Sequence, residues 1–155
     1  MINGYIPAAR FLPFLSWTDV AALPDKSNTV IVLPTGAIEQ HGPHLPCSVD
    51  SVISSGVAGH ALARLPATIP AYAIPPIVYG KSEEHLHFPG TLTLSGDTLL
   101  HTLLEIAESL YRAGFRKLLM INGHGGQPQI LQIACREMRL RHGDFIAIPH
   151  DVFNV

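Results

Sequence analysis

Short apolar runs alternate with amphipathic segments along most of this chain, and this alternation limits its fold more than any other feature. Apolar stretches of strand length occupy residues 29–33, 117–121 and 145–149. Between them, apolar side chains recur at helical spacing over about 97–113 and 128–142. Strands that alternate with helices favour an α/β sandwich, in which helices cover both faces of a mostly parallel sheet.

Two less regular elements complete the alternation. A helix is predicted over about 50–64, directly after a loop dense in glycine, proline, histidine and acidic residues. Residues 73–79 resemble a strand, although Pro75 and Pro76 place it at a sheet edge or in an irregular stretch. With 155 residues and no repeat or flexible linker, the sequence predicts a single domain over 1–155.

The low charge content bears on possible partners. Asp, Glu, Lys and Arg make up 14% of the residues, against about 25% in typical soluble domains. A surface with so few charges suggests that part of it is buried, either in a homo-oligomer or against a polypeptide that this chain lacks. The sequence also ends soon after its last predicted strand, with no helix predicted to cover that edge. An exposed sheet edge favours association in the same way.

Nucleic acids and membranes are not indicated as partners. The net charge is −2, and no basic cluster extends beyond residues 136–141. No apolar run approaches the roughly 18 residues of a membrane span, and the N-terminus lacks the basic start of a signal peptide. Cys47 and Cys135 form no metal-binding pair and fit a reducing compartment. We therefore predict a cytoplasmic protein.

Metal-ligating side chains concentrate in two loops that follow predicted strands. Glu39 and His41 are two residues apart, so an extended segment would direct both to one side. Asp50 follows near the start of a helix, and His124 stands between glycines after the strand at 117–121. Two carboxylates and two imidazoles form a mixed oxygen and nitrogen set that suits Zn, Mn or Fe(II). A carboxylate can bridge two such ions, which together acidify a shared water.

Other interpretations of these residues have weaker support in the sequence than metal binding. Any one of them taken alone is more often a surface or capping residue than a ligand. The turn at 122–126 resembles an oxyanion loop of α/β-hydrolases, but those enzymes need a G-x-S-x-G motif that the sequence lacks. Its glycines match neither common phosphate-binding pattern. Capping or solvated roles are expected for the histidines on predicted helices, which are His60, His101 and His142.

Three segments of the chain together resemble the signatures of the creatininase family, also called creatinine amidohydrolase-like. They are PTGAIEQHGPHLPCSVD (34–50), YGKSEEHLHFPGTLTL (79–94) and INGHGG (121–126). Their order and separations match the family, and the resemblance extends from about Phe14 to the C-terminus. A chance coincidence of three such segments is not credible.

The resemblance implies a fold, an activity and an assembly. The family fold is a three-layer α/β/α sandwich with a mostly parallel sheet, commonly assembled as a hexamer. Its members are metal-dependent amidohydrolases that cleave a non-peptide C–N bond of a small amide with a hydroxide bridging two divalent metal ions. By resemblance, we expect a small cyclic amide or a formamide as substrate, and Zn, Mn or Fe as the metal.

Metal ligands are carried over from the family by position. Glu39 and His124 would bind one ion, and His41 would bind the second. Asp50 would bridge the two ions. The resemblance therefore implies the same four residues that their types and spacing had already indicated.

The second segment contributes pocket residues by the same resemblance. Ser82 matches a position that lines the substrate pocket near the metals, and Glu84 is expected to have a pocket role beside it. His85 belongs to the same signature, and we assign catalytic roles to Glu39 and His85. No residue is evident as the general acid for the leaving nitrogen, although His85 and His150 are candidates.

Two departures from the family pattern limit what the resemblance implies. Creatinine-hydrolysing members resemble NGHYEN in the third segment and take a further ligand from its Glu, whereas this chain has Gly126 there. A formamide or another cyclic amide is therefore favoured over creatinine. Family chains also continue for roughly another hundred residues, so we expect this sequence to lack the family's C-terminal third. The alternative is a truncated or split, non-catalytic metal-binding paralogue that needs a partner chain.

Overall fold

Four parallel strands form the centre of the structure, a computed structural model that describes residues 2–153. The strands are β1 (Val30–Thr35), β2 (Ala71–Ala73), β3 (Lys117–Asn122) and β4 (Ile146–Asp151). Their order in the sheet is β2-β1-β3-β4, so that β2 and β4 are its edges. Met1, Asn154 and Val155 lie outside the described residues, and the domain boundary at 1–155 stays a prediction.

Helices cover both faces of this sheet, which confirms the predicted three-layer α/β/α sandwich. The helices are α1 (Trp17–Ala22), α2 (Val49–Arg64), α3 (Gly96–Arg112) and α4 (Pro128–Arg141). Helices α3 and α4 pack together over one face, and α2 packs over the other against β1 and β3. Within residues 2–153, no helix combines the length and apolar character that crossing a membrane requires.

The alternation of side chains along the strands creates a core on each face of the sheet. Ile31 and Leu33 of β1 contribute to the core formed with α3 and α4, where Leu103 and Met138 are almost fully buried. Val32 points the other way, into the smaller core beneath α2. Burying both faces of β1 explains why its sequence is a continuous apolar run rather than an alternating one.

Most predicted elements match the structure to within two residues, but one strand needs correction. The strand expected over 73–79 is Ala71–Ala73, which pairs with the first half of β1. After it, only Ile77 makes an isolated bridge to Thr35. Pro75 and Pro76 have no amide hydrogen to donate, so the ladder cannot continue through them.

Edge strand β4 has one covered face and one open face. Ala147 is buried in the core with α3 and α4, whereas Ile146 and Ile148 point to the opposite side and are each 51% exposed. On the same side of the sheet, a cavity of about 320 Å³ lies between α2 and the strands, and its apolar lining includes Leu62 and Leu119. Leu119 is the register partner of Ile148. The open face of β4 thus continues an apolar groove.

Candidate metal centre

The candidate residues lie at the carboxyl ends of three adjacent strands. The loop after β1 carries Glu39 and His41, the segment after β2 carries residues 82–85, and the turn after β3 carries His124. Because β2, β1 and β3 lie side by side and run parallel, the loops that leave their carboxyl ends meet. Asp50 joins them from the first turn of α2.

His41 directs one ring nitrogen at the backbone and the other at a carboxylate. Its Nδ1 lies 3.2 Å from the Glu39 carbonyl oxygen, which can only accept, so we assign the ring proton to Nδ1. Its Nε2 lies 2.9 Å from Asp50 Oδ1. In the neutral ring, Nε2 therefore presents a lone pair to a carboxylate oxygen, an arrangement that a cation stabilises.

His124 repeats this arrangement from the other side of Asp50. Its Nε2 lies 2.7 Å from the Lys81 carbonyl oxygen, which assigns the ring proton to Nε2. Its Nδ1 lies 2.9 Å from Asp50 Oδ2 and 3.3 Å from Glu39 Oε1. Both histidines thus donate their one N–H to a carbonyl and turn the other nitrogen to the carboxylates, which is the arrangement of metal-bound histidines.

The turn after β3 brings His124 to the start of α2. The Asn122 side chain donates to the His124 carbonyl oxygen at 2.8 Å and accepts from the His124 amide at 3.2 Å. Gly123 lies directly against the Asp50 carbonyl oxygen, and a Cβ at position 123 would overlap that oxygen. Glycine there is therefore required for the close approach of the turn to the helix.

Asp50 carries a buried oxygen that lacks a hydrogen bond. The residue is 3% exposed, and it lies in the first turn of α2, where the helix dipole favours a negative charge. Among the described residues, no group has hydrogen-bond geometry with Asp50 Oδ2, although His124 Nδ1 is close. Burying a carboxylate oxygen without a partner costs free energy, and a bound cation would offset that cost.

The segment after β2 holds Glu39 in place. Ser82 is fully buried and donates a hydrogen bond to Glu39 Oε2, while its own amide donates to Thr93 Oγ1 at 2.8 Å. Glu39 is 6% exposed, and its amide donates to the Cys47 carbonyl oxygen at 3.0 Å. These bonds leave Glu39 Oε1 directed towards His124.

His85 and Glu84 lie at the outer side of this cluster. The Gln40 side-chain amide donates to His85 Nδ1 at 3.3 Å, so we assign the ring proton of His85 to Nε2. That Nε2 lies 3.9 Å from Glu39 Oε2, beyond hydrogen-bond distance. Glu84 is exposed, and its Oε2 lies 3.5 Å from Lys81 Nζ. Both side chains can therefore be reached from solvent.

Two pKa shifts show the electrostatics of the cluster. Burial acts to lower the pKa of His124, but its contacts with Asp50, the Lys81 carbonyl and Glu39 outweigh burial and raise that pKa. Burial acts to raise the pKa of Glu84, but its own backbone amide, Lys81 and His124 outweigh burial and lower it. The buried carboxylates Glu39 and Asp50 therefore favour a positive charge within the cluster.

The ligand atoms of the cluster fall into two overlapping groups, each of which could hold a metal ion. One ligand atom from each residue lies within 4.8 Å of the others in two groups, Glu39–His41–Asp50 and Glu39–Glu84–His124. The two groups share Glu39, and Asp50 contacts the histidine of each. Carboxylate oxygens with imidazole nitrogens are ligands for Zn, Mn and Fe(II). The structure thus brings together all four residues that the sequence predicted as ligands.

Sequence reasoning missed the polar groups that support this cluster. Gln127 is fully buried, donates to Asn122 Oδ1 at 3.0 Å and accepts from the Lys81 amide at 3.2 Å. Asn122 and Gln127 flank the predicted His124 turn, and polar residues directly after a buried strand are a signal that could have identified them. The Lys81 carbonyl leaves no such signal, because every residue has a carbonyl group.

Comparison with known proteins decides the family. The family model named creatininase and described as creatinine amidohydrolase matches residues 13–155. The chain belongs to the creatininase family. The match includes the three segments that carried the resemblance, at 34–50, 79–94 and 121–126, and it confirms the family predicted from them.

Creatininase-family proteins that this chain resembles are considerably longer. It is 36% identical to the mycofactocin precursor peptide peptidase of Mycolicibacterium smegmatis over 79% of this chain and 50% of that protein. It is 34% identical to the creatinine amidohydrolase of Pseudomonas putida over 83% of this chain and 52% of that protein. A solved mutant creatininase of Zn–Zn type superposes with a TM-score of 0.79 at 32% identity, over 93% of this chain and 58% of that one. The chain thus spans about half the length of the curated relatives.

Proposed function

We propose that this chain carries the metal site of a creatininase-family amidohydrolase, which hydrolyses the C–N bond of a small cyclic amide or a formamide. The orientation of two histidines carries the proposal. His41 and His124 each donate an N–H to a carbonyl oxygen and turn the other nitrogen to Asp50. Capping or surface histidines do not need this shared arrangement, whereas ligands of neighbouring metal ions do.

Four residues would hold two divalent ions. Glu39 and His124 would bind one, His41 would bind the other, and Asp50 would bridge them. The solved creatininase of Zn–Zn type supports zinc, and the donor set also suits Mn and Fe(II). When bound, such ions polarise an amide carbonyl and lower the pKa of a water molecule.

His85 is the residue to which we assign proton movement during the reaction. The bond from Gln40 leaves the proton of the neutral ring on Nε2, the nitrogen nearer Glu39. An imidazole ring at hydrogen-bond reach of a reacting group is a common general acid or base. Glu39 and His85 are thus the proposed catalytic pair, Ser82 orients Glu39, and Glu84 faces the solvent side of the site.

The proposed substrate class rests on position 126 and on the names of relatives. The family resemblance associates a Glu at this position with creatinine hydrolysis, and this chain has Gly126. Among its relatives, one is named a peptide peptidase and another a creatinine amidohydrolase. We therefore propose a small amide other than creatinine, with peptides as the competing class. A cytoplasmic location and a homo-oligomer, with a hexamer as the common family assembly, remain predictions.

Amide hydrolysis by the purified chain tests the proposal. The chain is loaded with Zn or Mn and offered formamides, cyclic amides, creatinine and short peptides, with formate or carboxylate release as the readout. We expect turnover of a formamide or cyclic amide that disappears on chelation and in Asp50→Asn, but persists in His44→Asn, an exposed histidine of the same loop. Peptide cleavage alone would reject the substrate class, and activity that survives in Asp50→Asn would reject the site.

The open face of β4 favours a second candidate function, a metal-binding protein that is catalytic only with further polypeptide. Ile146 and Ile148 are half exposed, and Ile148 pairs with Leu119, which lines an apolar cavity. Because the match covers only about half of each curated relative, we propose that a segment equivalent to their unmatched part covers this face. The occupant would be the same whether it belongs to a longer form of the protein or to a separate chain.

Binding in trans tests this second candidate. The unmatched part of the Pseudomonas putida creatinine amidohydrolase is titrated into the metal-loaded chain, and both binding and amide turnover are measured. We expect binding that Ile148→Lys abolishes and Leu140→Lys leaves intact, because Leu140 is exposed on α4 at the opposite face. Absence of binding, or self-association of the chain through Ile148 in its place, would contradict this candidate.

A further inference from the structure

We infer that Glu84 is a direct ligand of one of the two metal ions. The inference rests on the proposed function, because it presumes that the cluster binds metal. A carboxylate oxygen of Glu84, one of Glu39 and a ring nitrogen of His124 lie within 4.8 Å of one another. In the same cluster, the buried Asp50 Oδ2 has no hydrogen bond among the described residues. This unpaired oxygen independently indicates that the cluster binds a cation.

Lys81 positions Glu84 and His124 together. Its carbonyl oxygen accepts from His124 Nε2 at 2.7 Å, and its Nζ lies 3.5 Å from Glu84 Oε2. The first contact fixes the ring proton of His124, and the second orients the carboxylate of Glu84. One residue thus holds two ligands of the same ion, which is the kind of support that metal sites use.

The position of Glu84 depends on the absence of a side chain at Gly126. A Cβ at position 126 would overlap Glu84 Oε1, and it would lie 2.5 Å from His124 Nε2 and 2.9 Å from the Lys81 carbonyl oxygen. Any larger residue there would therefore displace the Glu84 carboxylate from His124. The glycine thus leaves room for a carboxylate that comes from the segment after β2, where the turn after β3 provides none.

A third carboxylate also improves the charge balance of the site. Glu39 and Asp50 are both buried, and two divalent ions carry more positive charge than these two groups neutralise. Glu84 is exposed, so its ionised form costs little desolvation. It can therefore contribute negative charge at the solvent side of the site.

Zinc affinity, measured by competition with a chromophoric chelator, tests the inference without any need for activity. Glu84→Gln is expected to lower the affinity for one of the two zinc ions by at least about tenfold. Even residues that only support a ligand change metal affinity by about 10–100-fold. Glu83→Gln is the matched control, because Glu83 is exposed and its Oε2 lies 3.3 Å from Lys81 Nζ. This control should keep wild-type affinity. The visible spectrum of the Co(II)-loaded chain should change in Glu84→Gln and not in Glu83→Gln.

Gly126→Ala provides an independent arm of the same test. It should lower the affinity for the same ion in the wild-type background. It should have little further effect in the Glu84→Gln background, because both changes act on one carboxylate. Two zinc ions bound with unchanged affinity in Glu84→Gln, or an equal loss in Glu83→Gln, would overturn the inference and leave the proposed function standing. A wild-type chain that binds no zinc would overturn both.

Discussion

His124 Nδ1 lies 2.9 Å from Asp50 Oδ2 inside the protein, where both side chains are almost fully buried, and yet the two atoms lack hydrogen-bond geometry. On the other side of the carboxylate, His41 Nε2 approaches Oδ1 at the same distance. Asp50 therefore lies between two imidazole nitrogens that carry no proton, because the N–H of each neutral ring is on its other nitrogen and donates to a carbonyl. This relationship supports the proposal that Asp50 bridges two ions.

Separate roles for the two histidines predict separate losses. His41→Ala should abolish binding of one zinc ion and retain the other, because His41 contacts Asp50 from one side only and is proposed as a ligand of one ion. Isothermal titration of the metal-free chain with zinc measures this, and His44→Ala serves as the control, since His44 is an exposed histidine of the same loop. Unchanged stoichiometry in His41→Ala would contradict the assignment.

His85 should affect the chemistry and not the metal. In His85→Asn we expect kcat to fall by about 10²–10⁴-fold, the usual contribution of a positioned proton donor or acceptor, while bound metal stays at the wild-type level. His87→Asn, an exposed histidine two residues away, should retain wild-type kcat. An equal loss in both variants would indicate damage to the segment rather than loss of proton transfer.

The core between the sheet and the α3–α4 layer should dominate stability. Leu103 is 2% exposed within that core, so Leu103→Ala should lower the free energy of unfolding by about 2–5 kcal/mol. Leu140 on α4 is 69% exposed, and Leu140→Ala should change it by less than about 0.5 kcal/mol. Urea denaturation of the two variants provides the comparison, and similar losses in both would contradict the packing described.

An ion pair far from the metal centre should make stability depend on pH. His142 Nε2 lies 3.0 Å from both oxygens of Glu108, and this hydrogen bond, assisted by Arg141, lowers the pKa of Glu108 below its usual 4.5. A carboxyl whose pKa is lower in the folded state stabilises the protein above its unfolded pKa. That stabilisation is lost as the pH falls through the folded value.

Denaturation midpoints measured between about pH 3 and pH 6 check this dependence. Glu108→Gln should flatten the acid limb of the profile, and Glu105→Gln, a change at an exposed position of the same helix, should leave it as in the wild type. Coincident profiles for Glu108→Gln and the wild type would show that the pair contributes nothing.

Local patterns in the sequence were sufficient to predict the architecture and to indicate which candidate ligands lie close together. Residues 30–33 and 118–121 are apolar without interruption because both faces of these central strands are buried. The loops that follow parallel neighbouring strands lie at the same end of the sheet, so Glu39, His41 and His124 could be expected to lie close together. Asp50 followed from its place at the start of a predicted helix.

Contacts between segments distant in sequence could not be predicted in this way. The strand expected over 73–79 lies earlier, because pairing with β1 selects Ala71–Ala73 and the prolines end the ladder. Glu84 of one loop occupies the space that a Cβ at Gly126 of another loop would fill, and no local pattern encodes this proximity. The open face of β4 likewise depends on where α2 packs.

Metal content is the measurement that tests the central claim most directly. The wild-type chain and Asp50→Ala are purified identically, incubated with zinc, freed of excess metal, and analysed by plasma mass spectrometry against protein concentration. We predict about two ions per wild-type chain, as a bridged pair requires, and loss of both in Asp50→Ala. A wild-type chain without metal, or Asp50→Ala with its full complement, would contradict the account.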